Sequence, residues 1–304
     1  MADLTTNLCG IALRNPVILA SGILGTTKAL LRRVARAGAG AVTIKSVTLQ
    51  PRDGHPNPTI LTFEAGLINA VGHSNPGLEE ALQEFAVLDD VSAPVIGSVV
   101  GQNAEEFARV AERMAALSFA AIELPLSCPH TPGYGTLAGQ STPEATFEIT
   151  AAVRKVVKKP IFVKVSPNVP AIGEVAAAAE KAGADAITAV NSMGPGMLIN
   201  IEARRPMLAF GMGGVTGPAL RPVAVRCVYD IYKAVKIPII GVGGVSTGRH
   251  AIEMMMAGAA AVGIGSAVYG EGIEVFGKVA REMSEWMDAN GVHRVEELIG
   301  AAHR

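Results

Sequence analysis

Short apolar runs recur along the chain at residues 16–20, 41–44, 94–99, 120–124, 161–165, 186–190, 237–242 and 261–265. Each run is continuous rather than alternating, the pattern of parallel strands covered on both faces. A helix-like stretch follows each one, at about 27–37, 76–88, 103–117, 143–158, 171–182, 217–235, 247–257 and 270–289. Thr142 before Pro143-Glu144 and Asn75 before Pro76 read as helix starts,. Ala37-Gly38-Ala39, Ala182-Gly183-Ala184 and Ala257-Gly258-Ala259 read as helix ends, because glycine suits the left-handed position after a helix,. Eight strand–helix units without a dividing linker predict one α/β domain over residues 1–304, a (β/α)8 TIM barrel; the competing topology is a doubly wound open sheet,. Three long strand-to-helix loops, 45–75, 125–142 and 191–216, would all sit at the C-terminal mouth of such a barrel, where catalytic residues gather,.

Composition agrees with a packed core of small branched side chains: 49% of residues are hydrophobic, only 4% aromatic and 17% charged,. The formal net charge is -1 and no basic run occurs, so neither nucleic acid nor an anionic membrane surface is expected as a partner,. No stretch approaches the roughly 18 apolar residues of a membrane span, and the first residues lack a signal-peptide pattern,. Cys9, Cys128 and Cys227 are too few and too widely spaced for a disulfide framework, a metal site or an iron–sulfur cluster,. These features predict a cytoplasmic protein with no metal on this chain, any one-electron relay lying on another molecule.

The run Gly241-Val242-Gly243-Gly244-Val245-Ser246 follows the seventh strand, and Gly263-Ile264-Gly265-Ser266 ends the eighth. Glycines there let backbone N–H groups approach an anion, so Gly243, Gly244, Gly265 and Ser266 predict a phosphate cradle, completed by Gly217. Other strands end in residues suited to redox and proton chemistry: Ala20-Ser21-Gly22, Lys45-Ser46, and Lys164 within Val163-Lys164-Val165-Ser166-Pro167-Asn168. A lysine at a barrel mouth needs an anion or carbonyl to meet its ammonium. Asn69-Ala70-Val71-Gly72-His73 and Asn191-Ser192 offer paired amide donors and acceptors, which match the imide edge of a pyrimidine,. Cys128, in Ser127-Cys128-Pro129-His130, stands just past a strand, where a thiol can act as a general base or acid,.

In this order on these strands, the motifs resemble class 1 dihydroorotate dehydrogenases, as does Gly213-Gly214-Val215-Thr216-Gly217-Pro218-Ala219-Leu220-Arg221-Pro222. The resemblance covers almost the whole chain. It implies FMN contacted by Ser21, Lys45, Ser46, Lys164 and Val190, with its phosphate on Gly217, Gly243, Gly244, Gly265 and Ser266. It implies orotate bound by Lys45, Asn69, Ala70, Val71, Gly72, His73, Asn191 and Ser192. Cys128 would take a proton from C5 of dihydroorotate while C6 passes hydride to the flavin, Lys164 stabilising the charge that the ring gains. The chain looks most like the class 1B catalytic subunit, a homodimer that passes electrons to a separate FAD/[2Fe–2S] subunit and on to NAD⁺. A class 1A enzyme reducing fumarate is the neighbouring alternative.

Three positions depart from that pattern: Pro125, His130 and Ser98 stand where the family has asparagine. Pro125 offers only a carbonyl. Cys-Pro-His also resembles the pyrimidine-reducing domain of dihydropyrimidine dehydrogenase, which makes reduction of uracil or thymine the second reading. A phosphate-binding barrel without flavin, such as an isomerase or decarboxylase, is a structurally different alternative, and a non-catalytic partner-binding barrel is the third reading.

Overall fold

A computed structural model describes residues 2–128, 133–135 and 139–304. The chain opens with a hairpin, β1 (Thr6–Leu8) and β2 (Ile11–Leu13), and continues through β3 (Val17–Leu19), α1 (Lys28–Arg36) and β4 (Ala41–Thr43). A second hairpin, β5 (Ile60–Phe63) and β6 (Gly66–Asn69), precedes α2 (Leu78–Glu84). Regular alternation follows: β7 (Val95–Ser98), α3 (Ala104–Ala115), β8 (Ala121–Pro125), α4 (Pro143–Val156), β9 (Ile161–Val165), α5 (Ile172–Lys181) and β10 (Ala186–Ala189). An excursion of β11 (Met193–Gly196), β12 (Ile199–Asn200), β13 (Arg205–Pro206) and β14 (Gly213–Thr216) leads to α6 (Arg221–Ala234). The chain ends with β15 (Ile239–Val242), α7 (Gly248–Met256), β16 (Ala261–Ile264), α8 (Val268–Glu271) and α9 (Val275–Ala289).

Strands β3, β4, β7, β8, β9, β10, β15 and β16 close into a parallel barrel. The eight apolar runs are therefore the eight barrel strands, each within two residues of its expected ends, and the open-sheet alternative falls. Thr142 caps α4 as expected, its hydroxyl accepting the Ala145 N–H at 3.2 Å. The three Ala-Gly-Ala turns also hold, with φ of +111° at Gly38, +99° at Gly183 and +126° at Gly258.

Two of the long loops are not irregular. Segments 45–75 and 191–216 contribute β6 and β5, and β11 and β14, to one antiparallel sheet ordered β11-β14-β6-β5 above the barrel mouth. Strands of only four residues, two of them (β11 and β14) rich in glycine, carry too little periodicity to stand out in the sequence,. Two expected helices are also interrupted. The stretch at 217–235 begins as a 3₁₀ turn, Pro218–Leu220, before α6, and the stretch at 270–289 breaks at Gly272, whose φ is +71°.

The barrel interior is layered. Ile18, Ala41, Ile96, Ala121, Phe162, Ala186, Ile240 and Ala261, one from each strand, form an apolar layer with Leu8 and Leu13 of the first hairpin packed on it. Around the closed strand order the layer alternates a large side chain with an alanine. Four large side chains from alternate strands fill the cross-section only because the strands between them supply alanine. Strand side chains repeat every second residue on a face, so the next inward layer is Ala20, Thr43, Ser98, Glu123, Lys164, Thr188, Val242 and Gly263,. The apolar layer closes the N-terminal end, and the polar one forms the floor of whatever binds at the other end. No helix among the described residues is long and apolar enough to cross a membrane.

Asn75 does not cap a helix, since α2 begins only at Leu78 after Gly77. It is buried and serves as a hub: its Oδ1 accepts from the backbone N–H of Thr48 (3.1 Å) and of Gly77 (3.0 Å). Its Nδ2 donates to Thr48 Oγ1 (2.9 Å) and to the His73 carbonyl (2.6 Å). Asn75→Ala would take the side-chain acceptor from the Thr48 and Gly77 N–H groups, at a cost of about 1–3 kcal/mol,. The expected result is a lower urea midpoint at unchanged slope, and an unchanged midpoint would contradict this role for Asn75.

Candidate active site

One cavity opens at the C-terminal ends of the barrel strands beneath the antiparallel sheet, and it collects nearly every residue singled out from sequence. Ser21, Lys45, Ser46, Cys128, Lys164 and Val190 line it, as do Gly217, Gly243, Gly244, Gly265 and Ser266. Asn69, Val71, Gly72, His73, Asn191 and Ser192 line it too. Ala70 does not: it is buried with Ile68 and Leu208 in the small apolar cluster under the β5–β6 hairpin. His130 lies outside the described residues. Ile23, Ile60, Leu67, Thr216, Leu220, Val242 and Tyr269 also line the cavity and were not anticipated. They are ordinary apolar or hydroxylic residues with no chemical signature of their own, and Ile60, Leu67 and Thr216 are placed by the excursion sheet, which the sequence did not reveal.

The cavity floor carries a connected charged network. Lys164, on β9 and 4% exposed, donates from Nζ to Ser21 Oγ at 3.1 Å. Ser21 in turn donates to Glu123 Oε1 at 2.6 Å, and Thr188 Oγ1 donates to Glu123 Oε2 at 3.0 Å. Glu123 had no sequence signal beyond being a charge inside an apolar run. Ser46 and Ser98 share a hydrogen bond of 2.9 Å between their hydroxyls, so the serine at the third departure position is committed to its neighbour.

Lys45 stands at the end of the second barrel strand. Burial pushes its ammonium below the usual lysine range; the Cys128 sulfur opposes that shift, and the nearby Lys164 charge adds to it. An ammonium in that position gains most from an anion.

The backbone around Cys128 is pinned from several sides. Ser141 Oγ donates to the Leu126 carbonyl at 2.8 Å, and Asn191 Nδ2 donates to the Ser127 carbonyl at 3.1 Å. Gly135 packs so close behind that a Cβ there would lie 2.1 Å from the Cys128 nitrogen. Cys128 is 6% exposed and lines the cavity. Cys9 differs: at the closed end of the barrel its sulfur donates to the Asp185 carbonyl at 3.1 Å, and burial pushes its thiol up to about 12. Cys227, buried in α6, is likewise pushed up by burial. Only Cys128 lines the cavity, which separates it from the other two as the sequence reading expected.

Asn69 Nδ2 donates to the Gly214 carbonyl at 3.1 Å, which turns the amide across the junction of β6 and β14. His73, at φ +58°, sets its ring against Tyr134, centroids 5.3 Å apart, while Arg52 Cζ lies over the Tyr134 ring, 4.8 Å from its centroid. Both asparagines are thus oriented by the backbone rather than left to rotate.

The opposite end of the cavity is built from glycine. At Gly244, with φ +70°, a Cβ would lie 2.7 Å from Arg221 Cβ and 2.8 Å from the Gly217 carbonyl oxygen, so the loop after β15 rests on the start of α6. At Gly265 a Cβ would meet only Ala20 Cβ, at 3.9 Å. Gly244 is thus glycine because of protein packing, whereas Gly265 keeps cavity space clear. Among the described residues, no group of three His, Cys, Asp or Glu side chains could hold a metal ion.

Comparison with known proteins agrees with this arrangement. The family model for dihydroorotate dehydrogenase matches residues 3–287. A protein of Methanothermobacter thermautotrophicus named dihydroorotate dehydrogenase B (NAD(+)), catalytic subunit, is 48% identical over 301 residues, covering 99% of this chain and 98% of that protein. Proteins of the same name from Methanocaldococcus jannaschii and Pyrococcus abyssi are 45% and 46% identical, again over 98% or more of each chain. Among solved structures, the fold matches that of an Eimeria tenella DHODH in complex with ferulenol, with a TM-score of 0.86 at 22% identity, covering 99% of this chain and 89% of that one. The chain belongs to the dihydroorotate dehydrogenase family.

Proposed function

We propose that this chain is the FMN-dependent catalytic subunit that oxidises (S)-dihydroorotate to orotate in the route to UMP. The observation that carries the reading is the convergence of Cys128, Lys45, Asn69 and Asn191 on one end of a cavity whose other end is glycine-lined. The names of the relatives, each a catalytic subunit of an NAD⁺-linked enzyme, support a second subunit that takes the electrons onward. We assign to it the FAD and [2Fe–2S] centre, to this chain a homodimeric and cytoplasmic state, and to this chain no metal.

The cavity fits FMN. Gly265 leaves open space where a side chain would stand, and Gly217, Gly243, Gly244 and Ser266 surround it at the strand ends that commonly bind phosphate in barrels,. Ser21, Lys45, Ser46, Lys164 and Val190 would hold the ring, with Lys164 supplying positive charge. When bound, FMN supplies the two-electron acceptor for the hydrogen at C6 of the substrate. Lys45 pairs with the substrate carboxylate, which offsets the cost of burying its ammonium,. Asn69 and Asn191, with Val71, Gly72, His73 and Ser192 around them, hold the pyrimidine edge; Ala70 acts from behind by packing. Cys128 takes the C5 proton as a thiolate, in a loop fixed by Ser141 and Asn191,.

Pro125 lines the cavity in place of an asparagine and withdraws one amide contact. One such contact to a charged ligand is worth about 1.5–3 kcal/mol, enough to raise KM without reversing a preference set by the Lys45 charge. The same loss would matter less to an uncharged pyrimidine, which keeps reduction of uracil or thymine as the second reading.

Cys128→Ser is expected to retain FMN and to slow dihydroorotate oxidation by about 10²-fold or more, since a serine hydroxyl is a poor base near neutral pH. Turnover within a few fold of wild type, in a steady-state assay with a dye acceptor, would remove Cys128 from the chemistry. Gly265→Asp is expected to abolish FMN retention by placing a carboxylate in the phosphate cradle, while thermal unfolding of the flavin-free protein stays near that of wild type,. Retention of FMN by this variant would move the phosphate site elsewhere.

A further inference from the structure

Glu123 has no part in the chemistry above, yet it is a carboxylate 4% exposed inside the barrel. The apolar layer beneath it shows that the barrel cross-section can be filled without charge. Burying a carboxylate is costly unless donors and a counter-charge meet it. Here two hydroxyls donate to it, Ser21 at 2.6 Å and Thr188 at 3.0 Å, and Ser21 is itself the acceptor of the Lys164 ammonium at 3.1 Å.

The hydroxyl between the two charges has one proton, and a contact of 2.6 Å to a carboxylate commits that proton to Glu123,. The Ser21 oxygen is then left as an acceptor, and Lys164 fills one of its lone pairs. Ser21 and Lys164 line the cavity, whereas Glu123 stands behind them. Lys45, the second ammonium, is in electrostatic reach of Lys164 and Cys128. The floor thus holds one cation matched by a carboxylate and one whose matching anion is the substrate.

We propose that Glu123 is the positioning residue and counter-charge for Lys164: acting through the Ser21 hydroxyl, it fixes the ammonium at the cavity wall and sets the electric potential there. The effect on a bound ring rests on the flavin reading above; the pairing of Glu123 with Lys164 does not.

Glu123→Gln isolates the charge, because the amide can still accept from Ser21 through its oxygen and donate to Thr188 through its nitrogen. The first measurement uses flavin-free protein and compares thermal unfolding of wild type, E123Q, K164M and E123Q/K164M. Each single variant is expected to unfold at a lower temperature, and the double variant to lose clearly less than the sum, because it leaves no unmatched charge. Decrements that simply add would overturn the pairing. If E123Q alone yields no folded protein, E123Q/K164M is expected to fold; failure of both would make Glu123 a structural residue and overturn the proposal. The second measurement is the midpoint potential of the bound flavin against reference dyes. Removing the negative charge behind Lys164 is expected to raise it, and Glu123→Asp, which keeps the charge, to leave it near wild type. A potential that is unmoved or lowered in E123Q would overturn the electrostatic role. A wild-type protein that held no flavin would instead count against the functional reading, and the unfolding cycle would still decide the pairing.

Discussion

In a parallel barrel, every second residue of every strand must point inward, and the interior is too narrow to leave those positions empty. This chain meets the constraint twice, in opposite ways. Near the closed end, four large apolar side chains alternate with four alanines in a buried apolar layer. One layer higher, the same strands present Glu123, Lys164, Thr188, Thr43 and Ser98. Charges in that position are stable only when paired, and the pairing through Ser21 turns a stability requirement into a rigid cavity floor,. Everything at the mouth is built on that floor: the lysine ends of two strands, the Cys128 loop and the glycine turns.

The mouth itself is organised by a second sheet that does not belong to the barrel. Strands β5 and β6 from one excursion and β11 and β14 from another pair across the opening. Asn69 ends β6 and reaches the carbonyl of Gly214 in β14, so the wall proposed to hold the pyrimidine is itself part of the pairing that joins the two excursions. On the other side, Asn191 ties the end of the sixth barrel strand to the Cys128 loop. Asn69 and Asn191, the two amides assigned to the substrate, therefore sit at strand ends, which hold geometry more tightly than free loops,.

How much of this was legible from sequence follows from the length of each signal. Eight continuous apolar runs flanked by helix punctuation define the barrel, because a buried parallel strand needs no partner information to be recognised. Residues at strand ends, such as Lys45, Lys164 and Cys128, could be placed at the mouth as soon as the strands were. The excursion sheet was not legible, since its strands are only four residues long and β11 and β14 are rich in glycine, which reads as loop,. Asn75 was read as a cap because Asn before Pro suits one, but besides its local bonds to His73 and Gly77 it bonds Thr48, 27 residues away and brought near only by the tertiary fold. Glu123 stayed hidden for the same reason: its partners are 102 and 65 residues away in the chain. Gly244 and Gly265 looked equivalent in sequence, and only the packing around each separates the glycine that the protein's own packing requires from the glycine that leaves cavity space open.

The claim that joins these parts is that the cavity oxidises an anionic dihydropyrimidine, with its carboxylate on Lys45. It is tested most directly by mixing the FMN-loaded protein anaerobically with (S)-dihydroorotate or with dihydrouracil and following the flavin's visible absorbance. Rapid bleaching by dihydroorotate, with dihydrouracil far slower, is the result this account predicts. Absence of bleaching by dihydroorotate, or faster bleaching by dihydrouracil, would contradict it.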